Sequence, residues 1–596
     1  MPSISAATVW IVLGCSLTLF MLAGYLLFDV GSTRRKSVPG VVVRHLLVTF
    51  ASVLSFLFLG YGLFFGNAGG SFFGVLDFFS LGSYGPALPD GVTPAMFMTS
   101  QALVCAVCAN IVCGTIAERA SISCHVVLAV MLGLLVYPLA SNWTWGDGFL
   151  AQIGFHDFAG SASLNLVAGV TALVAAMLVG PRAGKYSDRG ELQALPGQSL
   201  AMQALGVFVI FLGWFGLVGV CSVTFGASSL ETFGMAFLNM LVAAVASGLA
   251  AMVTTSVRYG SCDVPVILNA VVGGLVAVSS GADVLSSPFA LLVGVLAGLA
   301  CVFGIEYVER RLKVDDPVGS VAVHGGCAVL GLLGCGLFAD YQGLVLGGGA
   351  ALFSAEVLGA VVVGAWAAVT MWVALAVTKR AGSVRVTGPE ESIGLGMSNP
   401  SVDNAFSEFL PAVTKAGEED APRVVRDVPP SEAVPLVLAG AGGLAPAGAV
   451  GAAGGADGGD GAGAAAPVAG PGAAGPGVLR QVRIITKPAR LARLKEQLGT
   501  IGVTGMTISD VMGYGAQRGA RGMYRGVPVV DDMIPKVQVD IVVAKVPVTD
   551  VVTAARQALY TGHIGDGKIF VYDVAEAVKV RTGEHGYDAV QGIDLV

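Results

Sequence analysis

A histidine set deep in an apolar run is the first residue of this sequence whose placement suggests chemistry. His324 stands in VAVHGGCAVLG, directly before a glycine pair, more than a helical turn inside its run. A neutral imidazole in a narrow apolar passage can hydrogen-bond a small amine without presenting a fixed charge. Gln101, Asn110, Asn165, Asn239, Asn269 and Glu356 also fall within apolar runs. Such residues are costly in lipid and face a bundle interior or a pathway; for an isolated Asn or Gln, interhelical hydrogen bonding is the ordinary use. A second candidate is HIGDGKIFV (563–571), whose glycine backbone and lysine suit a phosphate cradle, although the same four residues, GDGK, also make a simple turn. The 10 cysteines all precede residue 336 and show no metal spacing beside histidine, so they read as small apolar helix residues. No nucleophile–base set appears, and an enzyme is not expected.

The elements that must carry these residues are membrane helices. The chain has 596 residues, 55% hydrophobic and only 12% charged, with a mean hydropathy of +0.77; soluble chains carry about 25% charge. Eleven apolar runs, near 7–30, 43–66, 95–117, 122–141, 160–181, 198–223, 232–254, 264–280, 287–307, 319–338 and 353–378, are long enough or nearly so to cross a bilayer. Lys and Arg flank the connections that follow odd-numbered runs: Arg34, Arg35, Lys36 and Arg44; Arg119; Arg182, Lys185 and Arg189; Arg258; Arg310, Arg311 and Lys313; Lys379 and Arg380. The opposite loops hold none, so the positive-inside rule expects the N-terminus outside and the C-terminus in the cytoplasm. The first run lacks a basic n-region and is expected to be retained. The fold class expected is an all-α polytopic membrane protein, in the cell membrane, followed by a smaller soluble domain.

The motifs resemble those of the Amt/Mep/Rh ammonium transporters. VDDPVGSVAVHGGCAVLG (314–331) is similar to the segment of the second pore histidine, and NWTWGDGFLAQIGFHDFAG (142–160) to the segment of the outer tryptophan and the aspartate after it. GTIAER (114–119) and GWFG (213–216) are further matches. The resemblance covers about residues 7–410 and implies a homotrimer in the lipid bilayer with one pore per subunit. It implies Trp145 as the cation–π wall of an outer ammonium site, Asp157 as its support, and His324 as the second pore histidine. It also exposes departures. Asn165 stands where the first pore histidine belongs (DFAGSASLN), Val104 and Leu217 where two gate phenylalanines belong, and Cys221 at the outer-site serine. Asparagine does not titrate, so a His–His proton wire cannot form.

Residues 411–478, dominated at 439–477 by Ala, Gly, Pro and Val, read as a disordered tether. Its r.m.s. reach would be roughly 45–50 Å. From 479 the pattern is β-α-β-β-α-β, ferredoxin-like. TGMTISDV, HIGDGKIFV and VKVRTGEHG (578–586), with a long loop at about 515–533, resemble PII nitrogen-signalling proteins. That resemblance implies a trimer binding ATP or ADP between subunits, with Thr507, Gly565, Asp566, Gly567, Lys568, Lys579 and Arg581 at the nucleotide. Gln517 would ligate Mg and 2-oxoglutarate, and Lys536 would contact 2-oxoglutarate. Val529 stands at the uridylylated tyrosine, and Arg525 at the arginine inserted into Amt pore mouths. The domains expected are 1–410, 411–478 and 479–596, with no covalent cofactor and no nucleic-acid partner. Two readings follow: a transporter regulated in cis by its PII domain, or a poorly conducting ammonium sensor that signals through it to downstream nitrogen-regulation proteins.

Overall fold

A computed structural model describes residues 5–65, 72–80, 91–225, 230–395, 479–514, 521–530, 533–562 and 566–590. The stretch read as a tether, 411–478, lies outside the described residues. The chain divides into two compact units: Met1–Phe409 with Arg521–Val529, and Leu410–Ala520 with Val530–Val596.

The first unit is a helical bundle. Long runs without charge must satisfy their backbone groups internally in lipid, and helices do this residue by residue. Among the described residues, ten helical spans are long and apolar enough to cross a membrane: α1 (Ala6–Ser32), α2 (Arg35–Phe65), α3 (Pro94–Thr115), α4 (Ile122–Gln152), α5 (Ser161–Val179), α6 (Leu200–Val223), α7 (Thr232–Tyr259), α9 (Ser287–Arg310), α10 (Val321–Phe338) and α11 (Ala351–Ala381). The eighth expected span is the shorter α8 (Val264–Val278), capped by Asp263, whose carboxylate accepts from Val266 N at 3.3 Å. Small residues let helices approach where lipid supplies no hydrophobic drive. On α1, a Cβ added at Gly24 would lie 2.7 Å from Ile210 N of α6.

Two spans begin irregularly, and these irregularities position the site. Both α5 and α10 open with a π-helical turn, Ser161–Leu166 and Val321–Gly326. Each turn follows a left-handed glycine, Gly160 at φ 88° and Gly319 at φ 82°. Such turns widen the hydrogen-bond ladder and are common at functional sites.

The second unit is the expected α+β sandwich. Its elements are β1 (Arg480–Thr486), α12 (Leu491–Thr500), β2 (Thr507–Tyr514), β5 (Met533–Val543), α13 (Val548–Leu559) and β6 (Lys568–Asp573); β3 (Arg521–Tyr524) and β4 (Val527–Val530) come between β2 and β5 in the chain and, up to Val529, group with the first unit. The main sheet has the order β2-β5-β1-β6, antiparallel throughout. Val482, Ile484, Val539 and Ile541 alternate onto one face and meet Leu494 and Leu498 of α12 and Val551 and Ala555 of α13. The strands β3 and β4 form a separate hairpin, with Arg525 (φ 50°) and Gly526 (φ 72°) at its turn. Two central residues at positive φ match the twist of a tight antiparallel pair. The long loop of the sequence is thus partly a folded hairpin, and Arg521–Val529 groups with the helical unit.

Candidate functional site

The two irregular helix starts are built alike. Asp157 accepts from Gly160 N at 3.1 Å, Ala162 N at 3.0 Å and Ser163 N at 2.9 Å, and from Ser163 Oγ at 2.5 Å. Asp316 accepts from Gly319 N at 2.9 Å and Val321 N at 2.8 Å. Each carboxylate satisfies amides that a helix start leaves without partners. Both segments read Asp-x-x-Gly-Ser, and the residue eight after the aspartate is Asn165 in one and His324 in the other. This internal repeat was present in the sequence, and it identifies Asn165 and His324 as equivalent positions.

The fold brings those two residues together. Asn165 Nδ2 donates to Gly160 O at 2.8 Å, which leaves its Oδ1 as the acceptor that faces His324 Nδ1 at 2.8 Å. His324 therefore carries its proton on Nδ1 and keeps Nε2 as an acceptor. Their helices meet at glycines: a Cβ on Gly169 would lie 2.1 Å from Gly325 N. Below the imidazole runs a narrow cavity lined by His324, Tyr25, Asp29, Asn269, Ser320 and Val323. Tyr25 Oη and Asn269 Nδ2 are buried there without a hydrogen-bonding partner among the described residues. These two cavity residues were not distinguished in the sequence from ordinary helix polar groups.

On the other side of the pair, Trp145 is buried, and its indole N–H donates to Asp157 O at 2.5 Å. Its ring stacks with Phe64 at 6.4 Å between centroids. Asp157 thus orients the indole through its carbonyl and holds the α5 start through its carboxylate. Phe64 supplies an aromatic face that sequence reading missed, because it lies in an unremarkable apolar run. Val104, Leu217 and Cys221 are buried in the same core.

The basic side of the bundle carries an ion-pair lattice. Arg182 pairs with Asp315 at 2.8 Å and with Glu118 at 2.5 Å; Arg34 also meets Glu118, at 2.5 Å. Lys185 meets Glu309 at 3.0 Å. Burial alone would raise the Asp315 pKa, but Arg182, Arg119 and Lys185 hold it well below the usual carboxylate range. Arg525 joins this lattice. It is 3% exposed and donates to Asp316 O at 2.6 Å and Glu309 Oε1 at 3.3 Å. Gly526 N donates to Asp263 at 3.3 Å, and Arg310 donates to Gly526 O. Burial opposes the Arg525 charge, but the Glu309, Asp316 and Asp263 carboxylates contribute to raising its pKa above the ordinary value.

In the second unit, Asp566 accepts from Thr561 N at 2.7 Å and Gly562 N at 3.2 Å, which ties it to the residues just after α13. Gly567 sits at φ 124°, and a Cβ there would meet Ile485 O at 2.4 Å. Lys568 follows, exposed, at the start of β6. Lys579 pairs with Glu584 at 2.9 Å, and Arg581 is exposed. Thr507 opens β2, and the stem of Lys536 on β5 lies beside Gly513. Because β2 and β6 are the two edges of the sheet, Thr507 and Lys568 lie on strands three spacings apart, roughly 14 Å. Gly565 and Gln517 lie outside the described residues, as does the side chain of Val529.

Residues 9–400 match the profile of the Ammonium Transporter Family, and residues 479–584 that of Nitrogen regulatory protein P-II. A putative ammonium transporter of Synechocystis is 32% identical over 404 residues, covering 66% of this chain and 88% of the relative. An ammonium transporter of Archaeoglobus fulgidus is 31% identical over 419 residues, covering 67% and 87%. Among solved structures, a sensor Amt protein aligns at a TM-score of 0.62 with 27% identity, covering 66% of this chain and 97% of that one. Mep2 of Candida albicans shares the fold, at a TM-score of 0.58, 24% identity, and coverage of 65% and 87%.

Proposed function

The chain belongs to the ammonium transporter family, carries a P-II domain in the same polypeptide, and is a multi-pass membrane protein; on that footing we propose that it conducts ammonium under the control of its own PII domain. The observation that carries this reading is the burial of Arg525 against Glu309 and the carbonyl of Asp316. Asp316 caps the helix that bears His324, so an arginine there stands at the inner end of the pathway. A guanidinium offers five donors and a permanent charge, and it repels a cation leaving the pore.

In this reading ammonium meets the Trp145 face, and its N–H groups then reach the Asn165–His324 pair. His324 Nε2 accepts one N–H, while Asn165 holds the ring in that tautomer. The single imidazole gives one titratable site where a histidine pair would give two. Val104, Leu217 and Cys221 form an aliphatic and thiol wall at the outer half.

The PII domain would sense nucleotide as a trimer. Thr507 and Lys568 lie on opposite edges of one sheet, so a cleft using both is completed by a neighbouring subunit. In this reading Lys568 and the Gly567 backbone would meet the phosphates, and Lys579 and Arg581 would join them, as the resemblance to PII proteins implies. Mg, held between nucleotide and Gln517, would supply charge for 2-oxoglutarate, whose carboxylate Lys536 contacts. ADP favours the docked Arg525, and ATP with Mg and 2-oxoglutarate releases it. The test is ammonium uptake by reconstituted full-length protein with each ligand set inside the vesicles. Uptake that rises with ATP and 2-oxoglutarate supports the reading; uptake indifferent to both refutes it.

A second reading is a sensor that binds ammonium but passes little. It is favoured by the Asn165–His324 bond, which lacks a second imidazole, and by the likeness to a sensor Amt protein. Saturable ammonium binding without uptake under any ligand set would select it.

A further inference from the structure

The place that Arg525 occupies in the helical unit has the makings of a cation site for more than one occupant. A single nitrogen, Nη1, donates both to Asp316 O at 2.6 Å and to Glu309 Oε1 at 3.3 Å. Nε of the same guanidinium is buried without a hydrogen-bonding partner among the described residues. One nitrogen thus fills the seat, and the guanidinium carries a stranded donor with it, which costs free energy because the donor has lost its water. An ammonium ion at the position of Nη1 meets the same two oxygens. It strands no donor, since it can turn its four N–H groups toward whichever acceptors or waters are near.

The charges around the seat also require a cation. Lys185 holds Glu309 by its other oxygen, Oε2, at 3.0 Å, so it does not cover Oε1. Arg119 and Arg182 are engaged with Asp315, and Arg34 and Arg182 with Glu118. Asp263 and Asp316 are buried and cap α8 and α10 through backbone amides. When the hairpin leaves, a positive charge goes with Arg525, and Gly526 N withdraws from Asp263 Oδ2. Asp316 O, Glu309 Oε1 and Asp263 Oδ2 then stand open together. A buried carboxylate that loses its cation is costly to leave bare. The cation that the pathway brings to this point is ammonium, because Asp316 caps the start of the helix that bears His324.

We propose that the seat of Arg525 Nη1 is an ammonium exit site, and that ammonium leaving the pathway and the β3–β4 hairpin compete for it. This rests on the ammonium pathway and the docked hairpin assigned above. No covalent bond changes: one cationic nitrogen replaces another at the same oxygens. Linkage makes the antagonism mutual, so ammonium at the exit weakens docking by the factor by which docking weakens its binding there. The docking constant falls by one plus the ratio of ammonium to its dissociation constant at the bare seat, so ammonium at about ten times that constant lowers docking about 11-fold. The position of the hairpin then reports ammonium at the inner end, whether the pore passes it quickly or slowly.

The experiment uses the full chain in lipid nanodiscs, which leave both faces open, with bio-orthogonal spin labels in the hairpin and beside Leu312. With ADP present, the docked-to-released ratio is titrated with ammonium chloride up to about 100 mM, and with sodium or potassium chloride at the same ionic strength. Ammonium is expected to lower the ratio at least tenfold relative to sodium and at least threefold relative to potassium, which has no N–H donors. An equal drop with potassium is a salt effect on the ion pair and overturns the site. Glu309→Gln keeps the oxygen and loses the charge; it docks more weakly, and its drop with ammonium relative to sodium shrinks to less than twofold. A variant as sensitive as the wild type places the effect of ammonium higher in the pathway and overturns the exit site. Glu309→Gln protein must first show the wild-type thermal transition; if it does not, Asp263→Asn takes its place, since asparagine caps a helix as aspartate does. A hairpin that answers to ADP, ATP and 2-oxoglutarate but not to ammonium overturns the exit site and leaves nucleotide control standing. A docked hairpin that ignores nucleotide refutes that control, and the ammonium titration still decides the exit site. A hairpin released under every condition overturns both.

Discussion

Replacing Arg525 by alanine is expected to release the β3–β4 hairpin from the pathway without weakening nucleotide binding. Two hydrogen bonds of the guanidinium are lost, at 2.6 Å to Asp316 O and at 3.3 Å to Glu309 Oε1. A hydrogen bond to a charged partner contributes about 1.5–3 kcal/mol, and the 3.3 Å bond belongs at or below the lower end. Glu309 is not orphaned, because Lys185 remains 3.0 Å away. The full cost of stranding a buried charge, about 3–5 kcal/mol, is therefore not reached. The net loss is about 3 kcal/mol, or about 150-fold in the docking equilibrium. A population docked at about 99% falls to about 40%. The backbone contacts of Gly526 to Asp263 and Arg310 survive, so docking weakens and does not vanish. Arg525→Lys keeps the charge but loses the fork, and it falls between the two. The assay is a distance distribution between bio-orthogonal spin labels in the hairpin and beside Leu312, with ATP affinity measured in parallel. An alanine variant with the wild-type distribution would refute the reasoning, as would one whose ATP affinity fell with docking.

Three further outcomes are expected. Asn165→His places a second imidazole beside His324, and it raises ammonium uptake or alters its dependence on the proton gradient; uptake identical to wild type under both conditions would contradict the assignment of Asn165 as the limiting departure. Docking weakens on acidification: burial raises the Asp263 and Asp316 carboxyls, Arg525 pulls both down, and the released state thus binds more protons. Docking is fully favoured above the released-state pKa values and is lost as pH falls through the docked ones, so the spin-label distances should lengthen on acidification. Cys262, exposed between α7 and α8 on the basic side, is expected to resist an impermeant maleimide in intact cells, whereas a cysteine at exposed Asp340 reacts. The reverse labelling would invert the topology.

Much of the architecture was written in local chemistry. Charge-free runs of helical length specify spans wherever water is absent, and the one-sided placement of residues such as Arg182 and Arg310 gives an orientation before any packing is known. The alternation in KVQVDIVVAKV and the amphipathic period of the helices at 491–500 and 548–559 specify a sheet with two helices on one face. His324 was legible because a histidine deep in an apolar run has few other uses.

What tertiary structure decided is which of these residues meet. Asn165 and His324 are 159 positions apart, and only the crossing of α5 and α10 at Gly169 and Gly325 brings their side chains to 2.8 Å. Arg525 and Glu309 are 216 residues apart, and no local pattern could pair them. The sequence by itself determined which segments leave water and which residue types they carry. Donor–acceptor geometry depends on distances between segments, and these are fixed only when the helices pack.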